Sequence, residues 1–258
     1  MNRTTQHILH VSLFVILGVM FVALAIVDML VGPEAIPVGE VVASLWGDVS
    51  AEYATIIYKI RMPKVIVAII SGMALSASGL LMQTLFRNPL AGPYVLGINS
   101  GASLGVALFT LAMPMVAART PWLYDIGLTG MAWIGSAAIL LLIMVLSRRI
   151  KSISVILILG MMLGSAISAV VGILQYMGTE ESLKAFVVWT MGSLTNVTTN
   201  QLYIFVPVVI VGLVLSIVAV KSLNMLLLGE SNARTIGLRV GVSRTIIFLA
   251  TTLLAGTV

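Results

Sequence analysis

The chain has 258 residues, of which 60% are hydrophobic and only 9% charged, and its formal net charge is +5. A soluble domain carries roughly a quarter charged residues, so this composition excludes an ordinary soluble protein. It predicts an all-α fold, a polytopic transmembrane helix bundle. The sequence contains no cysteine, which excludes disulfides and thiolate metal sites.

Apolar runs separated by turn residues divide the chain into seven predicted spans. In chain order they cover about residues 8–31, 65–85, 95–113, 127–146, 153–177, 202–220 and a last one from about 243. The first run is too long for a cleaved signal peptide, so we expect it to stay as a membrane helix. The last run has only about 16 residues before Val258, too few at ~1.5 Å per residue for a ~30 Å hydrocarbon core. We therefore expect a sequence truncated inside its seventh helix.

Basic residues are distributed unevenly among the predicted loops. With a cytoplasmic N-terminus, the inner segments hold nine basic residues and one acid, Glu230, whereas the outer segments hold five basic residues and eight acids. This bias predicts that the N-terminus is cytoplasmic. Lys59, Arg61 and Lys64 form a basic cluster on the outer side. Either lipid headgroups or an acidic protein partner would explain this exception.

Glycines recur at helical spacing in two of the predicted spans. Gly97, Gly101 and Gly105 are four residues apart, as are Gly160 and Gly164. In lipid, helices associate where small residues permit close backbone approach, so these glycines predict helix packing. They would line a transport path only where two bundles meet along them.

The predicted spans lack the side chains that other membrane activities require. His7 and His10 have no carboxylate nearby, so we predict no metal site. An intramembrane hydrolase needs a base beside its serine, and an ion-driven secondary transporter needs buried acids. The chain also has no phosphate-binding loop and no nucleic-acid motif. We predict no catalytic residue and no cofactor; a transporter of this kind takes its energy from another subunit.

Four segments resemble the FecCD family, the permeases of bacterial ATP-binding-cassette importers for iron-siderophores, haem and vitamin B12. The first is Arg61-Met62-Pro63-Lys64, and the third is Trp189–Leu194 in a predicted outer loop. The second and longest contains Gln83, Phe86, Arg87, Asn88, Pro89, Leu90, Ala91 and Pro93. The fourth contains Asn224, Leu228, Gly229, Glu230, Ala233 and Gly237. The likeness covers the chain from about residue 10 onward.

The resemblance implies one transmembrane permease domain over residues 1–258, similar to the vitamin B12 importer permease and incomplete beside the family's bundle of about ten membrane helices. It implies a multi-pass protein of the bacterial inner membrane that is not itself an enzyme. The implied cargo is an iron chelate (siderophore or haem) or vitamin B12, moved from periplasm to cytoplasm. The implied partners are a second permease protomer, identical or a close paralogue, two cytoplasmic ATPase subunits, a periplasmic binding protein and the lipid bilayer.

Residue roles are implied by the same resemblance. The basic cluster at Lys59, Arg61 and Lys64 would dock acidic residues of the binding protein. Within the segment 224–237, Gly229 and Gly237 bracket the run Glu230–Ile236, which predicts one helix with Glu230 in its first turn. The resemblance implies that this is a coupling helix that sits in a cleft of the ATPase. Ser152, Ile153 and Ser154 would form a cytoplasmic gate, in which Ile153 departs from the family's polar residue.

Overall fold

A computed structural model describes residues 3–44, 46–112, 121–150, 152–194, 197 and 199–258, and these ranges contain no strand. The earlier helices are α1 (Arg3–Leu30), α2 (Val38–Ser44), α3 (Ala51–Ile56), α4 (Met62–Phe86) and α5 (Ile98–Ala107). The later helices are α6 (Pro121–Arg149), α7 (Ile153–Met177), α8 (Glu180–Met191), α9 (Thr199–Leu227), α10 (Glu230–Thr235) and α11 (Val240–Ala255).

Within the described ranges, five helical stretches are long and apolar enough to cross a membrane. They are Leu9–Leu30, Ala51–Phe86, Gly127–Ser147, Ile153–Met177 and Gln201–Leu227. Two further apolar helices, Ile98–Leu111 and Val240–Ala255, are shorter. Each of the seven predicted spans overlaps one of these stretches, which confirms the all-α membrane bundle. The predicted end of the third span, at residue 113, lies outside the described residues.

The second membrane stretch begins earlier than predicted. It runs without interruption over 36 residues, Ala51–Phe86, through α3, a π-helical turn at Ile57–Arg61 and α4. The predicted span starts at residue 65 and leaves out these helical turns, because the charged residues before Pro63 suggest a loop and proline favours a helix boundary. The wider π turn directly precedes Pro63, where a regular α-helix would place the proline ring against the carbonyl of Lys59.

Helix α8 also differs from expectation, since Trp189 to Met191 end this helix and do not belong to a loop. Its start carries a local capping signal that the apolar pattern does not show. The Thr179 hydroxyl accepts a hydrogen bond from the Ser182 amide at 3.3 Å, and acidic residues follow in the first turn, where they favour a helix N-terminus.

The chain divides into two compact units, one of residues 1–69 and 194–202 and the other of residues 70–193 and 203–258. The core of the first unit contains buried apolar residues from α1 to the start of α4: Met29, Ile36, Val41, Ile57 and Val65. The core of the second unit draws on α4 to α11, and among its most buried side chains are Met82, Leu96, Phe186, Ile247 and Phe248.

Candidate functional site

Three loops meet at one end of the second unit. Arg87, in the loop after α4, donates a hydrogen bond through Nη2 to the carbonyl of Leu226 near the end of α9. Arg244, in the first turns of α11, donates through Nη1 to the carbonyl of Ile150 after α6 at 3.2 Å. Its Nη2 pairs with Glu230 of α10 at 2.8 Å. We call this region, where the loops after α4, α6 and α9 come together, the three-loop end.

Helix α10 is a short helix set between two glycines of unusual backbone conformation. Gly229 has φ 112° and Gly237 has φ 94°, values that favour glycine because a Cβ is disfavoured there. The helix begins at Glu230 and ends at Thr235, which confirms the predicted helix with Glu230 in its first turn. Ala233 faces inward and is fully buried.

Glu230 accepts from two arginines, one on α10 itself and one on α11. Its Oε1 pairs with Arg234 one turn along the same helix at 2.8 Å, and its Oε2 pairs with Arg244 of α11. The Arg244 side chain is 6% exposed, whereas that of Arg234 is 57% exposed. A buried cation without a counter-charge is strongly unfavourable, so the contact with Arg244 fixes the position of α10 more firmly than the contact with Arg234.

The exposed surface around α10 is partly apolar. Leu228, just before the helix, is 62% exposed, and Ile236, just after it, is 60% exposed. The Asn232 side chain donates from Nδ2 to the Leu228 carbonyl at 2.9 Å, which holds the start of the helix against the end of α9. Asn224, in the last turn of α9, is exposed as well. Two bulky apolar side chains therefore flank a short polar helix on an accessible surface.

The long motif around Arg87 forms the turn that ends α4. Arg87 has φ 50°, a left-handed conformation that is common at helix ends. The Asn88 amide donates to the Gln83 carbonyl at 3.1 Å, and the Asn88 side-chain oxygen accepts from the Leu90 amide at 2.9 Å. The remaining motif residues are buried Phe86 and Ala91, exposed Pro89 and Leu90, and Pro93 at the start of a 3-10 turn.

The segment predicted as a gate lies at the start of α7, next to the three-loop end. Ser152 directly precedes the helix. Ser152 and Ser154 are exposed, whereas Ile153 is partly buried and packs against the core of the second unit. Ile150, whose carbonyl contacts Arg244, is two residues before Ser152.

The predicted packing glycines bring α5 close to α6. A Cβ placed on Gly101 would lie 2.6 Å from the carbonyl oxygen of Gly135, and one on Gly105 would collide with the carbonyl of Met131. These distances leave no room for a side chain, so the two helix backbones are in direct contact. Small residues have this role in membrane helix pairs.

A second glycine contact joins the start of α5 to α7. A Cβ on Gly160 would lie 2.7 Å from the Val95 carbonyl, and one on Gly97 would lie 3.2 Å from the Gly160 carbonyl. Gly97 also has φ 75°. Gly164 would meet the Ser100 hydroxyl at 3.3 Å. The path of the chain before α5 therefore depends on the absence of side chains at these positions.

An open groove of about 540 Å³ lies beside these glycines, between the start of α5 and α7. Its lining includes four residues that carry a hydroxyl group, Tyr94, Ser100, Ser165 and Ser168. Ser165 and Ser168 donate to carbonyls one turn earlier in their own helix, at 3.1 Å and 2.9 Å. The groove therefore presents oxygen atoms on an otherwise apolar helix surface.

In the first unit, Arg61 of the basic cluster points into the protein. It is 5% exposed, and its guanidinium donates to the carbonyls of Met29 at 2.6 Å, Leu30 at 2.8 Å and Glu34. Carbonyls at a helix C-terminus lack partners within the helix and attract a cation. Gly32 makes room, because a Cβ there would lie 2.8 Å from Nη2 of Arg61. Arg61 thus caps the end of α1.

The other two basic residues have different surroundings. Lys64 pairs with Asp28 of α1 at 2.6 Å, and the two side chains are 29% and 36% exposed. Lys59 is exposed. The structure therefore does not present the basic cluster as a single surface: Lys59 points outward, Lys64 is shared with an acid, and Arg61 is buried.

Sequence reasoning missed the connecting role of Arg244, which contributed only to the charge count. Two signals were available. Arg244 lies near the start of an apolar helix, where a charged side chain requires a polar partner. Glu230 is the single acid predicted on the same side of the membrane. Among the described residues, no group of three or more His, Cys, Asp or Glu could hold a metal ion.

Several known proteins are similar to this chain in sequence, and one solved structure is similar to it in fold. The sequence model of the FecCD transport family matches residues 17–258. The hemin transport system permease protein of Yersinia pestis is 36% identical over 198 residues, 76% of this chain but only 58% of that protein. The vitamin B12 import system permease protein of Salmonella paratyphi A is 31% identical over 99% of this chain and 72% of that protein. A solved structure described as a metal-chelate type ABC transporter, in an inward-facing conformation, matches with TM-score 0.78 and 26% identity over 95% of this chain and 74% of that one.

Proposed function

This chain belongs to the FecCD transport family, and we propose that it is the permease subunit of an ATP-binding-cassette importer in a bacterial inner membrane. The observation that carries this proposal is α10, a short helix outside the membrane stretches, set between Gly229 and Gly237 and fixed by Glu230. Exposed apolar side chains next to a rigidly held helix outside the membrane stretches are unfavourable in water unless a partner protein covers them. A subunit driven by a separate ATPase has such a partner.

We propose that the three-loop end and the N-terminus are cytoplasmic. The charge count supports this orientation, since nine of the 14 basic residues fall on that side. The contacts of Arg87 and Arg244 support placing the loops after α4, α6 and α9 together on one side, because they hold these loops at one end of the second unit. Loops joined by direct contact have to lie on the same side of a membrane.

The ATPase contact is proposed for the exposed surface of α10 and its flanks. Leu228 and Ile236 supply apolar contact area, and Asn224 extends the surface along α9. Gly229, Glu230, Ala233 and Gly237 set the shape and position of the helix rather than touching the partner, since Ala233 is buried and Glu230 is engaged by two arginines. Two permease protomers, identical or closely related, would present two such surfaces to two ATPase subunits.

A charge placed on this surface tests the proposal. In Leu228→Glu we expect the copurified ATPase subunit to fall to a small fraction of the wild-type ratio, because a carboxylate would be desolvated in an apolar contact. The matched control is Met191→Glu, another exposed apolar residue (81%) at the end of α8, and it should keep the wild-type ratio. A normal ratio in Leu228→Glu, in membranes where both variants insert equally, would contradict the docking role of α10.

The binding protein is proposed to dock on the periplasmic side, near the basic cluster. The stretch Ala51–Phe86 is about 54 Å long at ~1.5 Å per residue, well beyond a ~30 Å core, so its first turns extend past the lipid. On these turns Lys59 is an exposed basic residue, whereas Lys64 is paired with Asp28, and an acidic partner would be steered mainly by Lys59. Arg61 supports this surface from inside by capping α1.

We infer that the transport path runs along α7, where a second protomer completes the wall. The hydroxyl-lined groove beside Gly97, Gly160 and Gly164 supports this placement, as do the exposed Ser152 and Ser154 at the start of the same helix. These serines, with Ile153, would form the cytoplasmic gate. The proposed cargo is an iron chelate, haem or a siderophore, with vitamin B12 as the second candidate, because relatives named for hemin and vitamin B12 transport align with this chain.

A further inference from the structure

We propose that Arg244 transmits movement of α10 to the gate segment at Ser152–Ser154, as a positioning residue that touches neither cargo nor ATPase. This inference rests on the proposed function, which gives α10 the ATPase contact and the start of α7 the gate. It concerns a residue with no assigned role in transport. The juxtaposition behind it is direct: one buried guanidinium contacts both α10 and the chain two residues before the gate.

The geometry gives Arg244 two separate points of attachment. Nη2 lies 2.8 Å from Oε2 of Glu230, the first residue of α10, and Nη1 lies 3.2 Å from the carbonyl oxygen of Ile150. That carbonyl follows the end of α6, where a cation is favoured by the unpaired carbonyls of the helix terminus. The two ends of the guanidinium therefore bridge two loops that are far apart in sequence.

Burial makes this bridge resistant to breaking. The Arg244 side chain is 6% exposed, and a buried charge that loses its partner is strongly destabilised. If the ATPase displaces α10, Glu230 can move away only by breaking its largely buried ion pair with Arg244. We therefore expect Arg244 to move with Glu230, and the end of α6 to follow through Ile150. Motion of α10 thereby reaches the turn between α6 and α7.

Arg87 provides a contrast at the same end of the unit. It also donates to a carbonyl, that of Leu226, but this contact joins the loop after α4 to α9 and does not reach the start of α7. Arg234 shares Glu230 with Arg244 but lies on α10 itself. Of the described contacts at this end, those of Arg244 connect α10 to the residues before the gate.

A single engineered thiol can report the gate, because the chain has no cysteine. Ser154→Cys would be placed in the full transporter, assembled in liposomes with cysteine-free ATPase and binding-protein subunits. The rate of reaction with a soluble fluorescent maleimide would be compared without nucleotide and with ATP plus orthovanadate. With Arg244 present we expect the two rates to differ by at least about fivefold, the lower end of ordinary coupling between sites. In Arg244→Gln we expect less than about twofold, with unchanged ATPase content.

The control is Arg239→Gln, an exposed arginine directly before α11, which should keep the full rate difference. If Arg244→Gln does not assemble, Glu230→Gln removes the charge of the same ion pair with a side chain of similar shape, leaves at most one weaker hydrogen bond, and should lose most of the difference. A full difference in an assembled Arg244→Gln or Glu230→Gln transporter overturns this inference alone. Equal rates with Arg244 present would overturn the gate assignment of the proposed function, and this inference with it.

Discussion

Lys59 and Arg61 are two positions apart on one helical stretch, and their side chains have different surroundings. Lys59 is exposed, whereas the Arg61 guanidinium reaches the carbonyls of Met29, Leu30 and Glu34 in a space that Gly32 leaves open. The resemblance implies a docking role for Arg61 and Lys64, beside which Lys59 lies in sequence. If the proposed docking surface is correct, burial gives Arg61 a structural role in it and leaves Lys59 as its exposed charge.

We therefore expect a substitution of Arg61 to change thermal stability and a substitution of Lys59 to change binding of the periplasmic protein. Arg61→Gln should lower stability by about 2–3 kcal/mol, since hydrogen bonds from a charged donor are lost at a buried helix end, and thermal unfolding in detergent would detect it. Lys59→Glu should leave the unfolding midpoint unchanged. It should weaken binding of the periplasmic protein at low ionic strength by roughly 1 kcal/mol, about fivefold in Kd, and less as salt screens the charge.

Lys184→Glu, at an exposed lysine of α8, is the control for a charge reversal elsewhere on the proposed outer side. It should change neither stability nor the Kd of the binding protein. The division of roles would be refuted by a normal Kd in Lys59→Glu at low salt, or by an Arg61→Gln protein as stable as wild type.

At the scale of helices, packing in the second unit depends on direct backbone contact. The pair α5 and α6 meets where Gly101 faces Gly135 and Gly105 faces Met131. In lipid there is no hydrophobic driving force between helices, so van der Waals contact between closely packed backbones has to supply the attraction. A single added methyl group at such a contact separates the helices along their length.

This predicts opposite effects for two glycines of α6. A Cβ on Gly135 would collide with the Gly101 carbonyl, whereas Gly130 has no atom within 4 Å of its Cβ position. Gly135→Ala should destabilise by about 1–3 kcal/mol through overpacking. Gly130→Ala should be neutral or stabilise by up to about 1 kcal/mol, since alanine favours a helix. Thermal unfolding of both variants in the same detergent tests this, and equal midpoints would contradict the packing account.

Local signals in the sequence were enough for some elements and not for others. Helix α10 was predicted because Gly229 and Gly237 mark its ends within nine residues of chain. The helical start of the second membrane stretch was missed. Hydropathy marks only the apolar residues, so it left out the charged turn at Lys59 and Arg61 although the helix continues through it. Contacts between distant loops leave no periodic pattern. Arg244 and Ile150 are 94 residues apart, so their meeting could not be read from spacing.

For the whole molecule, the class of protein follows from composition and motifs. The structure adds the contacts between residues that are far apart in the sequence. Apolar spans without a base beside a serine and without the buried acids of ion-driven transporters excluded most other membrane activities. The structure then gathered Arg87, Glu230 and Arg244 at one end of the second unit. That end is where energy from another subunit would enter.

The central claim is that transport through this chain is driven by ATP hydrolysed on a partner subunit, and the direct test is uptake into proteoliposomes. The chain would be reconstituted with its ATPase and binding protein, and haemin accumulation would be followed, with a ferric siderophore and cyanocobalamin in parallel. We predict that one of these ligands accumulates only when ATP is supplied on the side of the membrane that carries the ATPase. The rate of accumulation should stay the same after ionophores collapse the proton and sodium gradients. Accumulation driven by an imposed ion gradient in liposomes that lack the ATPase would contradict this account and identify a secondary transporter instead.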